Sequence, residues 1–174
     1  MLKGINVYLI GMMGAGKTTI GELLAQELNY QFFDTDKLIE KVAGKTINEI
    51  FTQEGESIFR EMETKVLKEV ASYTKLAIAT GGGIVLNREN WSYLHYGLVI
   101  WLNAPVSVLL SRLMTDNTRP LLQNSDDLRL RLEDLLQQRE NLYSQADLKI
   151  NIDIEDTPAQ IVTRILSNIP SVLK

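Results

Sequence analysis

Eight residues constrain this chain of 174 more than any others. Gly11-Met12-Met13-Gly14-Ala15-Gly16-Lys17-Thr18 follows the apolar run Val7–Ile10 and precedes the amphipathic stretch Ile20–Leu28. The spacing G-x-x-x-x-G-K-[ST] therefore falls between a strand pattern and a helix pattern. Glycines at 11, 14 and 16 let the backbone turn tightly with its N–H groups inward, and the helix that follows adds the positive end of its dipole. Such a cradle suits a polyphosphate. Lys17 is placed to reach the terminal phosphate oxygens and the Thr18 hydroxyl to ligate Mg²⁺, with Thr19 offering a second hydroxyl in the adjoining register. A chance glycine turn beside a surface lysine is the alternative, and eight matched positions in the right strand-to-helix setting speak against it.

The strand patterns Val7–Ile10, Gln31–Asp34, Leu76–Thr80, Leu98–Leu102 and Leu148–Ile154 alternate with amphipathic segments. Parallel crossovers take a dozen or more residues, usually helical, so the alternation predicts an α/β fold: a five-stranded parallel sheet covered on both faces, three layers in all. The last helix is marked by Thr157 as N-cap, Pro158 at its first position and an apolar stripe of Ile161, Val162, Ile165, Leu166 and Ile169. Between the helical patterns Pro105–Thr115 and Asp127–Tyr143, the polar, aperiodic stretch 116–126 is expected to form a mobile lid, spanning about 112–127 with its flanks. The length suits one domain over 1–174.

Hydrophobic residues at 45% and charged residues at 23% are ordinary globular values, and no stretch is both long and uncharged enough to span a bilayer. A strand pattern starting at Ile5 leaves no room for a targeting segment, so the chain is expected in the cytoplasm, or in a plastid stroma if an import peptide was removed. The lack of cysteine rules out disulfides, thiol nucleophiles and cysteine metal sites. A net charge of -4 without a long basic run argues against capture of nucleic acid.

Phe32-Phe33-Asp34-Thr35-Asp36 closes the second strand pattern, and carboxylates two residues apart leave a sheet edge facing the same way. In a doubly wound sheet, ligands bind beyond the carboxyl ends of the strands, where the glycine loop also lies. Asp34 is assigned to the Mg²⁺ shell through water. Asp36 either accepts the hydrogen bond or proton of an attacking hydroxyl or caps the helix Thr35–Ala43. Gly81-Gly82-Gly83, at the end of the third strand, indicates backbone in close approach to a ligand. In the helix pattern Glu56–Val70 the expected buried row is Phe59, Met62, Val66 and Val70. Glu63 stands three residues after Arg60 and either steers it or forms an ordinary surface pair with it. Arg139 has the same two readings.

Six signatures occur in order: Gly11 to Thr18, Phe33-Asp34-Thr35-Asp36, Gly55-Glu56 with Phe59-Arg60, Gly81-Gly82-Gly83, Thr118-Arg119-Pro120-Leu121-Leu122, and Arg139 with Leu142-Tyr143. Through them the chain resembles the shikimate kinase family, a branch of the nucleoside monophosphate kinase fold, over nearly its whole length. The resemblance implies a P-loop kinase with ATP as co-substrate and Mg²⁺ as cofactor, and the chain is expected to act as a monomer. It implies direct in-line transfer of the γ-phosphate to the shikimate 3-hydroxyl, giving shikimate 3-phosphate and ADP on the route to chorismate and the aromatic amino acids.

By the same likeness Gly14, Ala15, Gly16, Lys17, Thr18 and Thr19 hold the nucleotide phosphates. Asp36, Arg60, Gly82, Gly83 and Arg139 bind shikimate, the arginines on its carboxylate and Asp36 on ring hydroxyls. Arg119, aimed by Pro120, swings over the transferring group as an arginine finger and joins Lys17 and Asp36 as a catalytic residue. Arg112 and the loop Asp156-Thr157-Pro158 flank the adenine. Glu22 stands where the family pattern leads one to expect a basic residue, and reads as a solvent-facing change.

A gluconate kinase, or a non-enzymatic binding module on the same fold, is the rival reading. The acidic pair and triple glycine favour shikimate, and intact Lys17, Thr18, Asp36 and Arg119 argue for activity. GTPase and motor readings lack a guanine-specifying motif and a second motor domain. His95, the only histidine, reads as a surface residue, Trp101 as core, and the leucines of Asp127–Arg139 as a face packed on the domain.

Overall fold

The computed structural model describes residues 1–114 and 127–173. The expected lid at 116–126, with Arg119, lies outside the described residues. The elements run β1 (Val7–Ile10), α1 (Lys17–Leu28), β2 (Gln31–Asp34), α2 (Thr35–Ala43), α3 (Ile47–Gln53), α4 (Glu56–Ala71), β3 (Leu76–Ala79), a 3-10 turn (Ile84–Leu86), α5 (Arg88–Leu94), β4 (Leu98–Asn103), α6 (Val106–Leu113), α7 (Leu128–Tyr143), β5 (Leu148–Asn151) and α8 (Pro158–Val172).

The five strands form one parallel sheet in the order β2-β3-β1-β4-β5. In register, Leu9 of β1 lies between Ala79 of β3 and Ile100 of β4. Strands β1 and β3 are buried at every position, which is why they read as unbroken apolar runs rather than as alternations. From β1 the chain crosses first toward β2 and β3 and later toward β4 and β5, so the strand order switches at β1 and a crevice opens beyond its carboxyl end. Close approach of α1 to the sheet requires Gly21: a Cβ there would lie 2.6 Å from the Phe32 ring.

Caps fix where the helices begin. Asp34, not Asp36, caps α2, accepting from the Asp36 and Lys37 N–H groups at 2.9 and 3.3 Å. Thr46 and Glu49 form a capping box on α3, and Thr157 and Gln160 form another on α8. The α8 stripe is buried as expected at Ile161, Val162, Ile165 and Ile169. Three details depart from the sequence expectation. Helices α3 and α5, seven residues each, were not foreseen, since two turns hold too little periodicity to register. Strand β5 stops at Asn151 because the chain turns at 153–156. The buried face of α4 carries Phe59, Glu63, Thr64, Leu67 and Val70, leaving Met62 and Val66 half-buried.

The main core surrounds the sheet, with Trp101, Tyr8 and Tyr143 among its largest fully buried side chains. A satellite cluster of Ile39, Ile50 and Phe59 ties α2, α3 and α4 together, making a separate wall on the β2 side of the crevice.

Candidate active site

The glycine loop joins β1 to α1 as its spelling predicts. Gly11 has φ 146, and a Cβ there would sit 2.7 Å from the Leu102 carbonyl of β4, so only glycine fits. Gly16 occupies the N-cap of α1 with φ 95. Lys17 is buried, its ammonium donating to the carbonyls of Gly11 at 2.7 Å and Met12 at 2.8 Å. Thr18 Oγ1 donates to Asp34 Oδ2 at 2.7 Å, joining the start of α1 to the end of β2.

A cavity of about 410 Å³ opens over this loop, lined by Gly14, Gly16, Lys17, Thr18 and Thr19 on one side and by Arg112, Pro158 and Ile161 farther along. Arg112 Nη1 donates to the Gly14 carbonyl at 3.0 Å. Pro158 is presented by the turn between β5 and α8, which is clasped by Arg164: its guanidinium donates to both Asp156 carboxylate oxygens, at 3.0 and 2.8 Å, and to the Asn151 carbonyl. That hydrogen bonding from Arg164 holds the Asp156 carboxyl below its ordinary value. Ala15 differs from its neighbours: it is fully buried and its N–H donates to the Met12 carbonyl.

A second cavity of about 390 Å³ lies beside the first, walled by α2 and α3 and containing Arg60, Glu63, Gly83 and Arg139. Thr18, Asp34, Asp36, Gly81 and Gly82 line both cavities, so the two chambers meet at the acidic pair and the triple glycine. Gly81 N–H donates to Thr35 Oγ1 at 3.1 Å, and a Cβ on Gly81 would lie 2.8 Å from Glu63 Oε2 and 2.9 Å from Asp36 Oδ1. At Gly83 a Cβ would collide with the Arg60 guanidinium, its Cζ only 2.6 Å away.

Arg60 donates to Glu63 Oε1 at 3.0 Å and to Glu56 Oε1 at 3.1 Å. Glu63 is fully buried, so the pair is not the surface bridge that sequence spacing alone allows. Burial pushes the Glu63 carboxyl up to about 7, the Arg60 charge pulling against it and Asp36 reinforcing it. Arg139 is buried, and its Nη1 has no hydrogen-bond partner among the described residues, nor do Arg60 Nε and Glu63 Oε2. Buried guanidinium N–H groups without partners are expensive, and an anionic ligand in this chamber satisfies them.

The structure thus gathers the sequence candidates into two groups. Gly14, Gly16, Lys17, Thr18, Thr19, Arg112 and Pro158 line the first cavity, and Arg60, Gly83 and Arg139 the second, with Asp34, Asp36 and Gly82 at or beside the junction. Glu22 is exposed, as a solvent-facing change requires. His95 is exposed at the end of α5, and Trp101 is core. Sequence reasoning missed Thr35 and Thr80, whose hydroxyls hold Gly81 and the Leu9 carbonyl, and gave Tyr143 no role. Thr35 lies between the two aspartates, and that position was its only signal.

A family model described as shikimate kinase matches residues 13–170. The chain is 61% identical over 174 residues to the shikimate kinase of Trichormus variabilis, covering all of this chain and 96% of that one. It is 59% identical to that of Rippkaea orientalis, covering all of this chain and 92% of that one. Among solved structures, shikimate kinase from Acinetobacter baumannii in complex with shikimate superposes with a TM-score of 0.91 at 41% identity, covering 96% of this chain and 93% of that one. A gluconokinase from Sinorhizobium meliloti, at 16% identity and a TM-score of 0.60, shares the fold alone. With a family model spanning most of its length and full-length relatives this similar, the chain belongs to the shikimate kinase family.

Proposed function

We propose that this chain transfers the γ-phosphoryl group of ATP to the 3-hydroxyl of shikimate, giving shikimate 3-phosphate and ADP. The observation that carries the assignment is the pair of joined chambers: a phosphate loop in one, two arginines with a buried nitrogen each, Arg60 Nε and Arg139 Nη1, lacking a partner among the described residues in the other, and carboxylates where they meet. The loop amides and Lys17 hold the polyphosphate, whose oxygens take over the ammonium from the Gly11 and Met12 carbonyls. Arg112 and Pro158 flank the base. Arg60 and Arg139 pair with the shikimate carboxylate, Gly82 and Gly83 offer backbone groups, and Asp36 holds the ring hydroxyl that attacks. As the new O–P bond forms, the bond between the γ-phosphorus and its bridging oxygen breaks, ADP leaves with the electron pair, and the hydroxyl proton passes to Asp36. Family resemblance assigns Arg119 to the charge on the transferring group.

The residues present fit Mg²⁺. Thr18 Oγ1 and Asp34 Oδ2 are hard oxygens 2.7 Å apart at the loop mouth, and among the described residues no group of three or more His, Cys, Asp or Glu side chains is arranged to hold a metal ion by itself. Few protein ligands, with water and phosphate completing the shell, is how Mg²⁺ is held in kinases. Bound there, it neutralises charge developing on the phosphate oxygens. Both chambers are built within one chain, and the reading keeps the sequence expectation of one domain over 1–174, a monomer in the cytoplasm.

A coupled assay for ADP with shikimate, gluconate and no added acceptor tests the assignment. Turnover is expected with shikimate alone. Equal turnover on gluconate, or none above background on any acceptor, overturns it.

A further inference from the structure

We infer that Tyr143 is a positioning residue for the acceptor, its hydroxyl setting the orientation of the Gly82–Gly83 peptide. The inference rests on the acceptor chamber assigned above and adds a residue outside its lining. Tyr143 lies one turn after Arg139 on α7, and both are buried. Its ring stacks on Trp101 of β4, centroids 5.8 Å apart and planes 26° apart, which fixes the ring against the sheet. From that position the hydroxyl donates to the Gly82 carbonyl at 2.6 Å. Burial raises the hydroxyl above its ordinary value despite the nearby Arg139 charge, so it remains a donor throughout the neutral range.

A trans peptide is planar, with its N–H opposite its C=O. Holding the Gly82 carbonyl on Tyr143 turns the Gly83 N–H to the other side, as a donor to acceptor oxygens. The same contact sets the gap between the glycine backbone and Arg139, whose Nη1 is 3.4 Å from where a Gly82 Cβ would stand. Neither 82 nor 83 carries a side chain to hold that peptide, and within the loop only backbone bonds restrain it: Ile84 N–H to the Gly81 carbonyl and Leu86 N–H to the Gly83 carbonyl, both at 3.1 Å. Those bonds, with that from Gly81 N–H to Thr35 Oγ1, hold the residues on either side, whereas the Gly82 carbonyl itself is held by Tyr143.

The test is Tyr143→Phe, which keeps the ring and its stack and removes the hydroxyl, with its bond to the Gly82 carbonyl and its contact with Arg139. The expected result is a rise in KM for shikimate of roughly tenfold, with KM for ATP within about twofold of wild type. Direct titration of shikimate, read by intrinsic tryptophan fluorescence, should show the same loss of affinity. Ile165→Ala, a buried truncation in α8 away from both chambers, controls for general destabilisation: it should lower Tm at least as much while leaving KM for shikimate unchanged. An unchanged shikimate KM in Tyr143→Phe, or a parallel rise for ATP, overturns the inference. Equal KM changes in Ile165→Ala do so as well. A wild-type chain without shikimate-dependent turnover defeats instead the acceptor assignment on which the inference stands.

Discussion

Thr18 Oγ1 and Asp34 Oδ2 stand 2.7 Å apart, hydrogen-bonded across the gap between the first turn of α1 and the end of β2. The contact joins the phosphate loop to the acidic pair, and Asp34 serves two purposes through different oxygens, since its Oδ1 caps α2. Substitution can separate them. Asn caps helices about as well as Asp, so Asp34→Asn should leave Tm nearly unchanged while raising the Mg²⁺ concentration for half-maximal activity about tenfold. Asp34→Ala should lose both. Magnesium titrations of the two variants, beside thermal melts, check this, and an Asp34→Asn enzyme with a wild-type magnesium profile removes Asp34 from the metal shell.

Asp36 was open to two readings in the sequence, and the cap has gone to Asp34. That leaves Asp36 lining both chambers beside Gly81. If it accepts the hydroxyl proton, Asp36→Asn lowers kcat for shikimate phosphorylation by at least roughly 10²-fold. Steady-state turnover decides the point: a near-normal kcat with a raised shikimate KM leaves Asp36 only to orient the substrate.

The guanidinium of Arg60 has its place defined from two sides, by Glu63 at 3.0 Å and by the absence of a side chain at Gly83. Arg60→Ala and Arg139→Ala should each raise the shikimate KM by roughly 10- to 100-fold, the range for a hydrogen bond to a charged group. KM for ATP should hold. Gly83→Ala, which keeps both arginines but pushes the Arg60 head aside, should raise the shikimate KM about tenfold. Isothermal titration with shikimate and with ATP separates the sides, and a loss of ATP affinity in any of the three variants reverses the assignment.

What was legible in the sequence follows the length scale of each signal. The phosphate loop and parallel sheet were legible because their residue types serve local backbone needs: glycine at a positive φ, apolar residues on both faces of a strand. Helices α3 and α5 escaped because two turns do not establish a period. The burial of Glu63 was illegible for a different reason. An i, i+3 pair of opposite charges looks the same on paper whether solvent or a protein wall faces it, and the wall here comes from Gly81, far along the chain. Tyr143 shows the same limit: its partners, Trp101 and Gly82, meet it only once the sheet has formed.

Glu63 also gives the fold a pH dependence whose sign follows from its surroundings. Its carboxyl is pushed from 4.5 to about 7, chiefly by burial, with Arg60 opposing and Asp36 assisting. A carboxyl that holds its proton more tightly in the folded state than in the unfolded chain stabilises fully below about 4.5, and that contribution is lost as pH rises through about 7. Gln mimics the protonated form and does not titrate. The Tm of wild type should therefore fall relative to that of Glu63→Gln as the buffer moves from about pH 5 to about pH 8, by a few degrees for a chain of this size. Melting curves of both proteins across that range provide the measurement. If wild type instead gains on the variant with rising pH, the Arg60 ion pair outweighs burial and Glu63 is a fixed anion.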